Sequence, residues 1–331
     1  FGLVNVVGGT ILAAKLVWLC FDLGCAALLQ RIAARTGRNP ARVLVWYLWS
    51  PLLIVETAWS AHFDAVGLFF VTALIAVAVG ERGDAAAGSS AESIPQRGSS
   101  SSGGRLLRAW RRPAIVGSVL ALATLVKFAP AAALPPLARR YSLRAVVAFA
   151  VVCALLYLPF AGTGISALTG GLRTYARHWS ANEGAFSLVL QLAGDPVGAR
   201  VAVAVMVLAV AGYAAWRRFS VERALLWVLG AGLLLSPTVH PWYVLWVLPM
   251  AALRGHAPFL LVGGLAFLGY WGLASFEATG VWPQPGWNRA AMWLPVWGLI
   301  FWRLVTAGAT RSTAPDPERQ EPGREEGHEG E

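Results

Sequence analysis

Apolar runs recur along almost the whole chain, and several of them are long enough to cross a lipid bilayer as helices. They lie at residues 3–29, 42–59, 64–80, 145–160, 197–216, 223–236, 241–253, 257–275 and 290–306. A hydrocarbon core roughly 30 Å thick needs about 20 helical residues to cross it. Only 13% of the residues are charged and 57% are hydrophobic, which is far from the make-up of a soluble domain. The sequence therefore predicts an all-α, polytopic transmembrane helical bundle over residues 1–306.

The net charge of +10 comes from basic residues that form short clusters between the apolar runs. Aromatic residues do not interleave with these clusters in the way that single-strand binding requires, which argues against nucleic acid as a partner. Cytoplasmic loops of membrane proteins hold an excess of Lys and Arg. The clusters therefore predict the cytoplasmic side of a multi-pass membrane protein. They span Arg31 to Arg42, Arg105 to Arg112, Arg139 to Arg144, and Arg217 to Arg223.

Successive apolar runs should cross from one side of the membrane to the other, and a broken apolar stretch interrupts this alternation. Its halves, residues 113–126 and 128–138, meet at Lys127, and each is too short for an untilted crossing. Because basic clusters flank the stretch at both ends, we expect a hairpin of short helices that returns to the cytoplasmic side, with Lys127 near its tip. The same alternation places residues 60–64, 161–196, 237–242 and 276–289 outside. Residues 81–104 and the tail 307–331 have compositions that predict cytoplasmic disorder.

Three ionisable residues stand close together where the second and third apolar runs meet. Glu56 lies about one turn before the end of one run, and His62 and Asp64 occupy the short turn before the next. Ionisable residues at membrane depth normally face the protein interior or a watery cavity. We therefore regard the three as candidates for positioning an acceptor hydroxyl or for holding a phosphate through a metal ion. In the alternative interpretation, Glu56 and His62 only neutralise each other and Asp64 caps the next helix.

Lys127 is the best single candidate for binding a lipid phosphate. It lies at the break of the predicted hairpin and is followed by Pro130, Pro135 and Pro136. A broken helix exposes backbone groups that are tolerated in a membrane only beside protein or a cavity. The alternative is a lysine whose stem covers apolar surface while its ammonium group reaches water.

The long outer segment carries two basic residues on the side where positive charge is disfavoured. Arg173 and Arg177 are four residues apart and share a face if the segment is helical. Two guanidinium groups suit a bidentate grip on phosphate, and Tyr175 or Trp179 could stack on a sugar ring. The alternative is an amphipathic helix that lies in the membrane interface.

A histidine between two prolines precedes a later apolar run. Pro241 suits the first turn of a helix, which fixes the backbone of His240 just before that turn. We expect His240 to bind phosphate or pyrophosphate near the helix N-terminus. Trp242 and Tyr243 follow directly, and by themselves they are typical of the aromatic belt of a membrane protein.

Four of these stretches together resemble bacterial glycosyltransferases of the GT-C superfamily, above all glycosyltransferase family 87 and the polyprenyl-phosphomannose-dependent mannosyltransferases. The resemblance is carried by Pro51 to Asp64, by Lys127-Phe128-Ala129-Pro130, by His178-Trp179-Ser180-Ala181-Asn182, and by Pro237 to Tyr243 with Pro249. It extends from about residue 10 to about residue 305. It implies a GT-C-like bundle with a short-helix hairpin and an extracytoplasmic loop.

The resemblance further implies transfer of a sugar, mannose or another hexose or pentose, from a polyprenyl-phosphate donor to an extracytoplasmic lipid or glycan acceptor, with inversion. It implies no firm cofactor, although a divalent metal ion would suit the carboxylates and histidine. Members carry an acidic catalytic residue in the first outer loop, whereas this chain opens at Phe1 near an apolar run. We therefore expect the base before Phe1, with Asp64, His62 and Glu56 as the candidates within the chain.

The remaining roles follow from the same resemblance. The residues implied to bind the donor phosphate are Lys127, Arg173, Arg177 and His240. Those implied to bind the sugar or the acceptor are His178, Trp179, Asn182, Trp242 and Tyr243. Phe63 stands where the family pattern has a polar residue, so a hydrogen bond from that position is not expected.

Two other classes of function fit the sequence. A transporter or flippase for a lipid-linked or anionic substrate would line its path with broken helices, and would place ionisable residues on both membrane faces of a central cavity. A non-catalytic scaffold subunit of an envelope-building complex would need no such residues in one place. The transferase instead predicts one watery pocket on the outer side that gathers His62, Arg173 and His240.

Overall fold

The computed structural model is almost entirely helical. It describes residues 2–6, 8–90, 102–164, 166–167, 169–171, 174, 179–283 and 285–312. Within these ranges the only extended pairing is an isolated parallel bridge between Ala181 and Thr238. The expected all-α class is confirmed for this part of the chain, whereas the GT-C-like arrangement stays a prediction.

The helices are numbered α1 to α15 in chain order. Their bounds are α1 Gly2–Val6, α2 Ile11–Arg35, α3 Pro40–Leu48, α4 Pro51–Leu53, α5 Asp64–Ser90, α6 Ser102–Val126, α7 Leu134–Tyr141, α8 Leu143–Tyr157, α9 Phe186–Ala193, α10 Pro196–Trp216, α11 Val221–Leu235, α12 Leu248–Arg254, α13 Ala257–Leu265, α14 Leu273–Thr279 and α15 Gly286–Ser312. A π-helical segment, Ile54–Trp59, continues α4. The 3-10 segments are Ala129–Ala133, Leu158–Thr163, Pro241–Val247 and Ala266–Tyr270.

Four helical stretches are long and apolar enough to cross a membrane. They are Ile11–Arg35, Leu143–Thr163, Pro196–Trp216 and Ala257–Thr279, and a fifth results if Pro40–Leu48 and Pro51–Trp59, bent by 48°, count as one span. The apolar runs at 223–236 and 241–253 form shorter helical pieces instead. Most side chains of α11 and α12 are buried inside the protein, so their apolarity reflects the core as well as lipid.

Local sequence signals set several helix ends. The Thr10 hydroxyl accepts a hydrogen bond from the backbone N–H of Ala13, and the Asn39 side chain accepts one from Arg42. Asp195 caps α10 through the N–H groups of Val197 and Gly198. A polar cap of this kind satisfies N–H groups that have no partner within the helix.

Helices α2 and α5 run in the same direction, which determines at which end of the bundle the charged turns lie. Phe21 contacts Phe69, and Cys25 lies 3.0 Å from the Thr72 hydroxyl. Further along, the end of α2 at Arg35 lies beside Gly80 of α5. The segment between them, α3 with α4 and the π-helical turn, must therefore cross back. This places the turn after Arg35 at one end of the bundle and Asp64 at the other.

The predicted reversal at Lys127 is present. Helix α6 ends at Val126, and the 3-10 segment with α7 leads back towards the start of α6. The Arg144 guanidinium lies 5.6 Å from the Trp110 ring centroid, so the basic clusters before and after the hairpin lie at the same end. The structure differs in length, because the first limb is part of a continuous helix that begins at Ser102.

Two segments expected to be disordered are partly helical. Helix α5 continues to Ser90 and α6 begins at Ser102, so helix covers both ends of the segment 81–104. Residues 91–101 lie outside the described residues. Helix α15 likewise extends to Ser312, and the remainder of the tail, 313–331, also lies outside them.

Candidate functional site

Glu56 lies in the π-helical segment at the turn that leads to α5. The turn closes through hydrogen bonds from Ser60 N–H to the Val55 carbonyl at 2.8 Å and from His62 N–H to the Glu56 carbonyl at 2.9 Å. Ala61 has a φ of 58°, a left-handed conformation that costs a non-glycine residue about 1–2 kcal/mol. π-helical turns and backbone strain occur preferentially at functional sites.

The Glu56 carboxylate is completely buried and makes two side-chain contacts. The Tyr270 hydroxyl donates a hydrogen bond to Oε1 at 2.6 Å. Nδ1 of His62 lies 3.1 Å from Oε2, which is an ion-pair distance but not a hydrogen-bond geometry, so Oε2 has no hydrogen-bond donor among the described residues. Nδ1 of His62 makes its hydrogen bond to the backbone carbonyl of Glu56 at 3.2 Å, so this residue orients the imidazole while one carboxylate oxygen keeps an unused acceptor site.

Asp64, which follows the turn that holds Glu56, forms an ion pair with Lys127. Lys127 Nζ lies 2.7 Å from Asp64 Oδ1, and the same oxygen accepts a hydrogen bond from the indole N–H of Trp246 at 2.5 Å. Asp64 is only 2% exposed. Lys127 also lies 4.0 Å from the centre of the Tyr243 ring, a favourable cation–π distance. Burial lowers the pKa of Lys127, and the neighbouring Asp64 carboxylate opposes that shift.

Stacking on Trp242 connects His62, which contacts Glu56, to His240. The Trp242 indole stacks with the imidazoles of both His62 and His240, at centroid distances of 4.3 Å and 4.5 Å. His240 also meets the edge of Tyr243. Burial lowers the pKa of His240 to about 4, helped by the positive charge of Lys127 and then by His62. We refer to Glu56, His62, Asp64, Lys127 and His240 as the charged cluster.

A cavity of about 560 Å³ opens beside the charged cluster. Lys127 lies in its wall together with Tyr243 and Trp246. The rest of the wall is almost entirely apolar and comes from the 3-10 segment after Lys127 and from α10 and α11. These residues include Phe128, Ala129, Ala132, Val207, Val228, Leu229, Gly232 and Leu233. Lys127 therefore sits where an apolar space meets a group of ionisable side chains.

The structure brings together most of the candidates that it describes. Glu56, His62, Asp64, Lys127 and His240 come from three separated parts of the sequence and meet at one end of the bundle. The alternative interpretation of Glu56 is partly visible, since Glu56 does pair with His62. The ammonium group of Lys127 pairs with the Asp64 carboxylate, a partner that neither interpretation of Lys127 had named. Asp64 directs Oδ1 to Lys127 and Trp246.

The long outer segment is described only in part. Arg173, Tyr175, Arg177 and His178 lie outside the described residues, so their predicted roles stay predictions. Trp179 is half exposed and meets the edge of His240, 5.6 Å away between ring centroids.

Asn182 serves the fold in the conformation seen here. It is 3% exposed, and its amide donates hydrogen bonds to the carbonyls of Val239 and Gly269. Its own backbone carbonyl accepts one from the indole of Trp293. A sugar contact from Asn182 would require its amide to leave these partners. Trp242, another predicted sugar-binding residue, already stacks with two imidazoles, which compete with a sugar ring for its faces.

Sequence reasoning missed two partners of the site and one further ion pair. Trp246 and Tyr270 hold the two carboxylates, yet they look like ordinary aromatic residues of apolar runs. Glu183 forms an ion pair with Arg289 at the same end of the molecule. A signal was available in the last case, because a carboxylate and a guanidinium each stand in a segment that was placed outside.

The divalent-metal expectation finds no complete ligand set in the described part of the chain. Among those residues no three His, Cys, Asp or Glu side chains come close enough to share an ion. Glu56 and His62 supply two groups, whereas Asp64 is engaged by Lys127.

Acid is expected to destabilise the protein as pH falls from about 6.5 to about 4, and His240→Gln is expected to remove part of that loss. The unfolded chain takes up a proton near the ordinary histidine pKa of 6.5, while folded His240 does so only near 4. Unfolding therefore binds a proton between these values, and stability falls as the pH falls. Thermal unfolding at pH 7.5 and pH 4.5 measures this, and an identical acid loss in wild type and variant would contradict it.

Comparison with known proteins yields no relative: no protein-family model, no curated protein and no solved structure matches this chain. The resemblance to GT-C glycosyltransferases therefore rests on the motifs described above. The arrangement of the charged cluster beside the cavity is an independent observation.

Proposed function

We propose that the chain is a membrane-embedded glycosyltransferase that takes a sugar from a polyprenyl-phosphate donor. The observation that carries the proposal is the position of Lys127 between the apolar cavity and the charged cluster. A polyprenyl-phosphate sugar has the same division, with an apolar tail, an anionic phosphate and a polar sugar. The three parts of the donor match the three environments in that order.

The cavity suits the lipid end of the donor. Its wall consists mainly of aliphatic side chains and small residues from α10, α11 and the 3-10 segment after Lys127. The ammonium group of Lys127 has three N–H donors, so it can contact a phosphate oxygen while it retains one bond to Asp64. Charge on the phosphate increases as the sugar leaves it, and a cation already in place stabilises that charge without reorganisation.

His62 is the group within the described chain that is best placed to accept the acceptor's proton. Its Nδ1 faces the buried Glu56 carboxylate, and its side chain is 28% exposed, whereas that of Glu56 is fully buried. In the reaction, the acceptor oxygen bonds to the anomeric carbon, and the bond from that carbon to the phosphate oxygen breaks. The hydroxyl proton passes to Nε2 of His62, and the electron pair of the broken bond stays on the phosphate. Glu56 stabilises the imidazolium that results.

The transporter alternative fits the cavity less well. A translocation path for an anionic substrate would carry ionisable residues towards both membrane faces. Among the described residues that line the cavity, Lys127 alone is charged. This favours docking of a lipid tail beside one phosphate site over passage of a charged group.

Gly232→Leu tests the role of the cavity. A Cβ at Gly232 would meet no described heavy atom within 4 Å, and the residue lines the cavity. The leucine is therefore expected to occupy space needed by the lipid tail without disturbing the ion pair. Loss of contact worth two buried CH₂ groups, about 1.6 kcal/mol, corresponds to roughly 10-fold weaker donor binding.

The measurement is the KM for a polyprenyl-phosphate [14C]mannose donor in membranes that contain the full chain. Gly212→Leu is the matched control, since Gly212 is also a helical glycine with open space around it but does not line the cavity. An equal KM in the two variants would remove the cavity from the donor site. Absence of mannosyl transfer in wild type, with the related pentosyl and hexosyl donors also inactive, would count against the transferase itself.

A further inference from the structure

A second pocket of about 500 Å³ lies at the other end of the helices and is rich in arginine. It forms between two turns, one joining α2 to α3 and the other joining α12 to α13. The residues around it are Gly37, Arg38, Asn39, Arg42, Val43, Ala252, Leu253, Arg254 and Gly255. Three of these nine carry a guanidinium group, and none carries a carboxylate.

Both turns depend on glycine. Gly37 has a φ of 69° and Gly255 a φ of 58°, a region in which other residues are strained. At each turn the chain reverses sharply directly beside an arginine, Arg38 in one case and Arg254 in the other. The two turns therefore bring basic residues from separated parts of the sequence to one pocket.

One buried carboxylate holds two of the arginines in place. Glu222 at the start of α11 is 6% exposed, and its two oxygens face different guanidinium groups. Nη1 of Arg38 lies 2.9 Å from Oε2, and Nη1 of Arg254 lies 3.3 Å from Oε1. Each arginine has several N–H donors, so this single carboxylate leaves donors over on both sides.

Positive charge exceeds negative charge around the pocket. Arg42 forms no ion pair among the described residues. Arg303 of α15 donates a hydrogen bond to the Gly255 carbonyl. The same positive charges act on His256, which follows Gly255. Burial lowers the pKa of His256 to about 4, and the next causes are the charges of Arg303 and Arg254. An anion bound here would find one neutralised and at least two unneutralised guanidinium charges.

We propose that this arginine pocket binds a phosphate group, either that of an anionic lipid headgroup or free phosphate. Guanidinium groups contact phosphate oxygens in a bidentate manner, which a point charge such as lysine does not reproduce. Basic pockets between membrane helices at the level of the headgroups are typical sites for acidic lipids. Val43, Ala252 and Leu253 also line the pocket and are apolar, so the first carbons of a lipid's acyl chains could contact them.

The arginine pocket is separate from the charged cluster. Glu222 begins the α11 helix near the pocket, whereas Ser236, just after its end, lines the cavity beside Lys127. The nearest cavity residue on that helix is Val228, six residues from Glu222 and about 9 Å away at 1.5 Å per residue. The pocket and the cavity share no lining residue, so the two proposals can fail independently.

The test compares wild type with Arg42→Ala and Arg139→Ala in lipid nanodiscs. Arg42 is chosen because its replacement leaves the pairing of Glu222 with Arg38 and Arg254 intact. Arg139 is an exposed arginine of another basic cluster, so its loss removes the same charge away from the pocket. Binding is measured as the rise in thermal unfolding temperature, first with phosphatidylglycerol replacing phosphatidylcholine, and then with inorganic phosphate in phosphatidylcholine alone.

We expect Arg42→Ala to need about 10-fold more ligand for the same rise, while Arg139→Ala behaves as wild type. A rise with phosphatidylglycerol alone identifies a lipid headgroup site, and a rise with both ligands identifies a phosphate site open to solution. Wild type that responds to neither ligand overturns the proposal. So does an equal loss in both variants, which would indicate a general effect of surface charge.

Discussion

Lys127→Ala is expected to destabilise the protein by about 3 kcal/mol, near the low end of what breaking a buried ion pair costs. Asp64 is 2% exposed, so loss of its partner leaves a buried carboxylate whose remaining side-chain donor among the described residues is the Trp246 indole. The partial exposure of Lys127, 26% of its side chain, is the reason for choosing the low end. Thermal unfolding of the full chain in nanodiscs measures the effect.

The double variant Asp64→Asn/Lys127→Met distinguishes stability from function. It removes both charges together, so most of the lost stability should return, since a well-packed neutral pair often replaces an ion pair at little cost. The introduced asparagine can still accept the indole hydrogen bond through its side-chain oxygen. Sugar transfer should nevertheless stay abolished, because no cation remains for the donor phosphate. Recovery of transfer together with stability would show that Lys127 acts only in the fold.

Lys15→Met is the control for these variants. Lys15 is also a lysine near aromatic residues, 5.4 Å from the Trp59 ring centroid, but it forms no ion pair with a described residue. Its replacement is expected to change stability by less than about 1 kcal/mol, since Lys15 is only partly buried and no buried carboxylate loses its partner. A loss as large as that of Lys127→Ala would indicate that the assay does not report on the ion pair.

His62→Ala is expected to lower the kcat of sugar transfer by about 10²- to 10⁴-fold, the usual contribution of a positioned general base. The donor KM should change little, since the phosphate and lipid contacts lie at Lys127 and in the cavity. Ser60→Ala in the same turn is the control, because Ser60 is exposed and the variant keeps the backbone N–H that closes the turn. Rates in membranes with a saturating polyprenyl-phosphate sugar measure the effect.

The distribution between kcat and KM decides the role of His62. A variant that raises KM and keeps kcat would make His62 a binding residue, and unchanged kinetics would leave it with a stacking role on Trp242. Tyr270→Phe gives a second measurement, since it removes the hydrogen bond to Glu56 without touching His62. If Glu56 orients the histidine, this variant should reduce kcat by less than His62→Ala does.

The helical class and the location of the charged residues could be predicted from sequence. Lys127, His62, Asp64 and His240 are scarce ionisable residues beside apolar runs, and burying a charge in lipid costs enough to force such groups together. The clusters of arginine then fixed which turns share an end. The reversal at Lys127 followed from the two basic clusters around it, and Trp110 does meet Arg144.

The partners inside the site could not be predicted in the same way. Trp246 and Tyr270 reach carboxylates that are 182 and 214 residues away in the chain, and no local pattern encodes such pairs. The apolar runs at α11 and α12 were also indistinguishable from membrane spans, because core burial and lipid exposure select the same side chains. The sequence likewise gives no sign that the amide of Asn182, predicted to bind the sugar or the acceptor, donates to two backbone carbonyls.

The π-helical turn at Ile54–Trp59 has one more residue per hydrogen-bonded ring than an α-helix. It is therefore equivalent to a single residue inserted into a regular helix, and such an insertion rotates everything on one side of it by about 100° relative to the other. The direction in which the Glu56 side chain points is thus set by the number of residues in the turn. In the history of such a protein, gain or loss of one codon here would switch this carboxylate into or out of the site in a single step.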